Sequence, residues 1–439
     1  MAVWSIQNFG ALFPGMDIAA EHYHPDKIKQ LKRLNQNDYV PLSSVAKNTR
    51  MLFDPSTQKD LPIFDLGAAT QHFFDPGQAI DEDRVSTKKL VKSGDILVSR
   101  LRSYLKQVAV IPEEITSAAV STEFVVLRSC LDSNISFLVP FILSDPVQTI
   151  LAWSQDGNEH PRFNESILLE LKIPKSVIAA KDKINMLMNA AQRAAIRARI
   201  DLQCAESIMF AVLGLDHVDL APCQFYEDTY THVADAGRLD AEYFSPRMQN
   251  MIETLSAGRQ TIADVAPLVK RRFNAVPGKS FEYIEIADIG AGGTAGSNTV
   301  PGEKAPSRAT WIVKPGDIIT TTVRPIRRLS AIILPEQDGF VCSSGFAVLR
   351  PHAIEPELLL TYLRLPLVAE LLDLHTTASM YPAISTADLL RIPFRMPDAH
   401  ACAKIVAKVR ESFAARAESL RVLDEAKHTL EAAIAEETK

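Results

Sequence analysis

Two segments of this chain carry apolar stripes too long for an ordinary core helix. In the first, Ile184, Leu187, Ala191, Ala194, Ala198, Leu202, Ala205, Met209 and Val212 recur at steps of mostly three and four, the spacing of a coiled-coil seam. In the second, Val406, Val409, Phe413, Ala417, Leu420, Leu423, Leu430 and Ile434 form a less regular stripe. Neither proline nor glycine interrupts 175–213 or 398–439. A lone stripe of that length needs a partner, and alanine in the seam allows close approach. The two helices are therefore predicted to pack on each other.

Between and before them the pattern changes to mixed α and β. The turns Gly94-Asp95 and Pro315-Gly316-Asp317 precede extended runs at 96–100 and 318–322, and Phe124-Val125-Val126-Leu127-Arg128 alternates as a strand does. Helical stretches are expected at about Phe137–Trp153 and Glu357–His375, each followed by a proline-containing exit at Ile173-Pro174 or Ile392-Pro393.

These elements repeat. Ser121-Thr122-Glu123-Phe124-Val125-Val126-Leu127-Arg128 returns as Ser343-Ser344-Gly345-Phe346-Ala347-Val348-Leu349-Arg350, an offset of 222. Lys92-Ser93-Gly94-Asp95-Ile96 returns at the same offset as Lys314-Pro315-Gly316-Asp317-Ile318. Leu42, Val45, Ala46 and Phe53 match Ile262, Val265, Ala266 and Phe273, and the lead-in at 20–25 matches that at 241–246. The exits match as well. Solenoid and propeller repeats run at about 20–50 residues, so a period this long is a duplicated domain with its linker. Two similar, non-identical domains suit a ligand with two similar, non-identical halves.

Composition narrows the function. The 439 residues are 47% apolar and 23% charged, without an apolar run near the roughly 18 residues of a membrane span. The start Met1-Ala2-Val3-Trp4-Ser5-Ile6-Gln7 lacks the features of a signal peptide, so a cytoplasmic location is expected. Five scattered cysteines, none in a C-x-x-C pair, argue against a disulfide framework or structural zinc. The net charge of −6 argues against a free-standing DNA binder, but local charge points the other way. Lys88 to Lys106 contains six basic residues and one acid, Asp95; Lys304 to Arg328 again contains six and one, Asp317. The basic patches occupy equivalent places in both copies.

The order of domain, long helix, domain, long helix, with Gly-Asp-Ile turns and Phe-x-Val-Leu-Arg strands, resembles the specificity subunit of type I restriction–modification systems. The lead-ins Ala20-Glu21-His22-Tyr23-His24-Pro25 and Arg238-Leu239-Asp240-Ala241-Glu242-Tyr243-Phe244-Ser245-Pro246 are similar to openings in that family. So are the exits at His160–Asn164 and Met380–Ser385. The resemblance implies an α+β fold in four parts: a first target-recognition domain at 1–174, a first spacer helix at 175–215, a second recognition domain at 216–396 and a second spacer helix at 397–439. It implies a bipartite, asymmetric double-stranded DNA target, docking of two adenine methyltransferase subunits and, in restricting complexes, motor–nuclease subunits. It also implies no catalysis by this chain, with S-adenosylmethionine bound by the partner. A helix of about 38 residues at 1.5 Å per residue spans roughly 57 Å, and antiparallel pairing would set the recognition domains at opposite ends of a rod. A specificity factor of a methylation-linked phage-defence system, or a coiled-coil scaffold without DNA reading, are the alternatives.

For DNA contact the foremost candidates are Arg100, Arg102 and Lys106, with Arg324, Arg327 and Arg328 as counterparts. Each set follows a strand, and the planar guanidinium pairs bidentately with phosphate or guanine. Arg271, Arg272 and Asn274 form a second cluster. Arg162 and Asn164, opposite Tyr381 and Ser385, form a third. The turn Asp288-Ile289-Gly290-Ala291-Gly292-Gly293-Thr294 looks like a cofactor-binding turn, but glycines and prolines at 296–306 leave no room for a helix after it. It reads better as a flexible DNA-facing loop. His22 and His24 read as a surface lead-in rather than a metal pair. No nucleophile elbow, Walker loop, zincin or amino-methylation motif occurs.

Overall fold

A computed structural model describes residues 20–436, apart from 36–37, 59, 71, 81–85, 222 and 378–379. The N-terminal heptapeptide considered above lies outside the described residues. The chain divides into two units. The first joins residues up to Ala195 with those from Ala417 onward; the second is Ile196–Arg416. The division falls inside both long helices, Lys175–Val212 and Ala399–Glu436, so each unit owns half of each helix. Among the described residues no helix is long and apolar enough to cross a membrane.

In the first unit a four-stranded sheet has the order Ala79–Ile80, Ile63–Phe64, Ser117–Ser121, Lys88–Lys92. A second sheet has the order Ala46–Asn48, Phe124–Ser129, Ile96–Ser99, Val108–Val110. The second unit repeats both. One sheet is ordered Asn298–Pro301, Ser280–Ile284, Val341–Ser343, Ala309–Ile312, and the other Ser330–Ile332, Ile318–Thr321, Phe346–Leu349. The duplication holds at the level of register. Phe124 faces Ser99 and Leu127 faces Ile96 in one copy; Phe346 faces Thr321 and Leu349 faces Ile318 in the other. Each copy also has one parallel pair, Ile63–Phe64 on Ala119–Val120 and Tyr283–Ile284 on Val341–Cys342.

The expected helical stretches are each broken in two. Leu138–Leu143 is followed by Asp145–Ala152, and Pro356–Leu363 by Pro366–Leu374. The cause is a proline at equivalent places. Pro146 and Pro366 sit in the first turn of the second helix, where their fixed φ starts a helix but cannot continue one. Ser144 and Leu365, the N-cap residues, are accordingly extended. Each unit is closed by pairing its entry with its exit, Tyr39–Pro41 on Lys172–Pro174 and Gln260–Thr261 on Pro393–Phe394.

The halves of the long helices pack antiparallel within each unit. In the second, the Ser412 hydroxyl donates to the Ala198 carbonyl (2.6 Å) and Lys408 pairs with Asp201 (2.9 Å), while Leu202, Ala205 and Met209 share a core with Ile405, Val406 and Val409. In the first, Ser419 donates to the Ala191 carbonyl, and Ile184, Leu187 and Met188 share a core with Val422, Leu423, Ala426 and Leu430. One seam position differs from expectation. Leu420 is 50% exposed, and the seam passes through its neighbour Ser419, which is buried. A hydroxyl that returns its hydrogen bond to the facing backbone permits the close approach that leucine would block.

Candidate nucleic-acid interface

Each copy builds its basic loop from a buried carboxylate upward. Gly94 and Gly316 take φ of 81° and 80°, the left-handed region open to glycine. The next residue turns its carboxylate inward. Asp95 accepts the Lys92 amide and pairs with Arg128 through both oxygens (2.8 and 2.6 Å). Asp317 accepts the Lys314 amide and pairs with Arg350 (2.6 Å) and Arg271 (2.7 Å). Both aspartates are essentially inaccessible. A buried carboxylate persists only when charge-paired and hydrogen-bonded, and these fix the start of the strands Ile96–Ser99 and Ile318–Thr321.

At the far end of those strands the backbone is forced. Arg102 and Arg324 sit in the left-handed region at φ 50° and 49°, a short 3-10 helix follows (Ser103–Leu105 or Pro325–Arg327), and Lys106 and Arg328 are again left-handed at 53° and 57°. Non-glycine residues there cost about 1–2 kcal/mol each. Identical cost at four equivalent positions marks a loop whose shape matters. Both exits hold it. The Arg102 amide donates to the Pro161 carbonyl and the Arg324 amide to the Pro382 carbonyl, each at 2.8 Å. Arg102 extends Nη2 to the Glu159 carbonyl and His160 Nδ1 (both 3.4 Å); Arg324 reaches the Met380 carbonyl (3.3 Å) and lies 5.4 Å over the Tyr381 ring.

The structure thus brings the first and third candidate groups together. Arg327 is exposed on the loop, while Arg328 donates to the Arg364 carbonyl (3.3 Å) and lies 4.0 Å from Glu206. Arg100 and Arg162 converge on Glu123, which accepts from Arg162 Nε (3.0 Å) and Nη2 (2.9 Å) and from Arg100 Nε (3.2 Å). Those bonds, Arg162's first, hold the Glu123 carboxyl below its ordinary range against the opposing effect of burial. Asn164 caps a helix, accepting the Ser166 amide at 3.0 Å. The second candidate group is split. Arg271 is committed to Asp317, whereas Arg272 and Asn274 are exposed.

Sequence reasoning missed Glu123 and His160 as members of the site, and it placed Tyr381 only opposite the third group, not against Arg324. The offset that pairs His160 with Tyr381 and the charge at Glu123 were visible, but nothing local joins them to a strand end tens of residues away. The exposed 3-10 turns also present Tyr104 in one copy and Ile326 in the other.

The glycine-rich turn is placed differently from expectation. A Cβ at Gly293 would lie 2.8 Å from Leu360, and one at Gly292 would lie 2.9 Å from the Arg416 guanidinium. Arg364 donates to the Ala291 carbonyl, and the strand Asn298–Pro301 follows instead of a helix. The turn packs within its unit against Leu360 and Arg416. The lead-in histidines part company: His24 stacks on Trp153 at 3.6 Å and His22 lies 3.3 Å from Asp156. Among the described residues no cluster of three His, Cys, Asp or Glu is placed to hold a metal, and all five cysteines are free thiols.

No protein-family model and no curated protein matches the chain. Among solved structures it is similar to the HsdS subunit from Thermoanaerobacter tengcongensis, at 18% identity over 91% of this chain and 95% of that one, with a TM-score of 0.31. A type I restriction–modification S subunit from M. genitalium matches at 11% identity over 90% and 94%, with a TM-score of 0.43. A chain from a type I R-M system solved for its complex assembly and conformational transition matches at 18% over 90% and 97%, with a TM-score of 0.31.

Proposed function

We propose that this chain is a non-catalytic DNA specificity subunit that reads a bipartite, asymmetric duplex site. One observation carries the reading: two units of one chain deliver an Arg-headed loop in the same strained conformation, clamped by the same backbone contact to their exits. Loops held in shape before binding lose less conformational freedom when they meet a ligand. Guanidinium groups at their tips suit phosphate oxygens and the O6/N7 edge of guanine. The side chains around the two loops differ, so the two units would read different half-sites.

The partners in this proposal are two adenine methyltransferase subunits docked on the paired helices, with motor–nuclease subunits in a restricting complex. S-adenosylmethionine would supply the methyl group and is assigned to the partner. The cofactor-like turn at Gly290–Gly293 does not fit it, because Leu360 and Arg416 fill the space beside Gly292 and Gly293. In this reading the chain's own residues bind and orient DNA, and group transfer belongs to the partner.

The test is adenine-methylation mapping of host DNA with and without the gene. Loss of methylation at a single split motif supports the proposal; no change at any motif sinks the methylation-guiding role. A second measurement addresses the loop. Replacing Arg324, Arg327 and Arg328 by Ala should flatten the salt dependence of duplex binding. The slope of log K against log[salt] should fall by about 0.9 for every phosphate that the variant no longer neutralises. An unchanged slope would mean that these arginines do not touch phosphate.

A further inference from the structure

The two copies share a backbone but not the chemistry beside the basic loop. Hydrogen bonding fixes the correspondence. The Arg100 amide donates to the Glu123 carbonyl, as Thr322 does to Gly345; Leu101 bridges Arg162, as Val323 bridges Ala383. Lys89 faces Val120, as Trp311 faces Cys342. The first unit therefore holds Lys89, Arg100, Glu123 and Arg162 where the second holds Trp311, Thr322, Gly345 and Ala383. A charged cluster in the first copy corresponds to a neutral one in the second.

Within that cluster the arginines are used differently. Arg162 grips Glu123 side-on through Nε and Nη2 and spends Nη1 on the His160 carbonyl (3.0 Å). Arg100 gives Glu123 only Nε, and its terminal nitrogens have no hydrogen-bond partner among the described residues. A carboxylate at Nε holds the guanidinium plane while leaving the end-on pair of nitrogens available. That end-on pair matches guanine O6 and N7. Arg162, on the carboxylate's other side, holds Glu123 against the exit strand. Lys89 is committed to the Phe124 carbonyl (2.7 Å) and adds positive charge without competing for the fork.

We infer that Arg100 reads a guanine in the half-site of the first unit, with Glu123 as its positioning residue, and that the second unit has no equivalent reader. The inference rests on the proposed DNA-reading function and deepens it: the asymmetry of the target arises partly at this position. Arg100 acts as a base reader here, not as a phosphate ligand.

The test is selection of duplexes from a random-sequence double-stranded oligonucleotide pool by the purified full chain, unaltered and as R100A, R100K and E123Q. The unaltered chain should enrich a split motif. R100A and R100K should each lose about tenfold or more of the preference for one guanine in one half, leaving the other half intact. R100K is informative because lysine keeps the charge but not the fork. E123Q should weaken the same position and no other, an effect that general destabilisation would not confine to one base. Because reading a base carries little counterion release, R100A should leave the salt slope near that of the unaltered chain. The inference is overturned if R100A keeps every base preference, or if it lowers the slope by about 0.9 while preferences stay. It is equally overturned if E123Q leaves the guanine preference untouched. Failure of the unaltered chain to enrich any sequence would refute the DNA-reading function and the inference with it, a result distinguishable from all of these.

Discussion

At the scale of single residues, the informative contrasts are between positions that the duplication makes equivalent. Asp95 and Asp317 are the same buried carboxylate, but Asp95 has one arginine and Asp317 has two. Met51 occupies the place of Arg271, and its sulfur lies 3.6 Å from Arg128. Removing the acceptor strands two cations in the second unit, so Asp317→Ala should destabilise that unit by about 3–5 kcal/mol. Arg271→Met should cost only about 1 kcal/mol, since the first copy shows this environment accepting methionine beside one remaining arginine. Urea unfolding measures both; equal effects would mean Arg271 carries the pairing. The arginines of the basic loops were legible from local charge alone. Glu123 was not recognisable as their partner, because its ion pair with Arg162, 39 residues away, depends on strand register. Asn164 stands out as a DNA candidate in the sequence, but its cap of the Ser166 amide was not legible, because only the backbone around it shows that task.

At the scale of elements, alternation located the strands, and the glycine-aspartate turns located their starts, because both signals are local. Two readings were corrected, one by a local proline signal and one by non-local packing. The helical stretches look continuous in apolar content, but Pro146 and Pro366 restart them. In the second long helix the apolar stripe includes Leu420, whereas the packed seam uses Ser419, Val422 and Leu423. Leu423→Ala should therefore cost about 2–5 kcal/mol, and Leu420→Ala should stay within about 0.5 kcal/mol. Denaturant midpoints for the two variants separate the readings; a comparable effect at Leu420 would contradict this seam. The packing of the glycine-rich turn was illegible for a related reason. Its glycines make room for Leu360 and Arg416, neighbours that sequence proximity does not reveal.

At the scale of the whole chain, the period of the repeat announced two related units, and both are present with matching strand registers. The ownership of the long helices was not legible. The sequence reading sets each long helix apart as a spacer segment of its own, but the residues from Ala417 onward pack with the first unit. Val422, Leu423, Ala426, Leu430, Ala433 and Ile434 belong to the same apolar core as Phe137, Phe141 and Phe163. Truncation after Arg416 should accordingly lower the stability of the first unit, which is distant in sequence, and spare the second. Hydrogen exchange resolved by segment tests this. Loss of protection at 124–129 with retention at 346–349 is expected, and the reverse pattern would assign the helix end to the second unit.

The discontinuous first unit also bears on the order in which the protein is made. Its sheets and the first half of its helix leave the ribosome long before residues 417–436, which complete its core. At about 5–20 residues per second, the apolar face of Ile184, Leu187 and Met188 waits on the order of tens of seconds for its cover. During that interval the nascent chain exposes a seam that another nascent chain's seam could also cover. Synthesis of many copies from one message would favour such exchange.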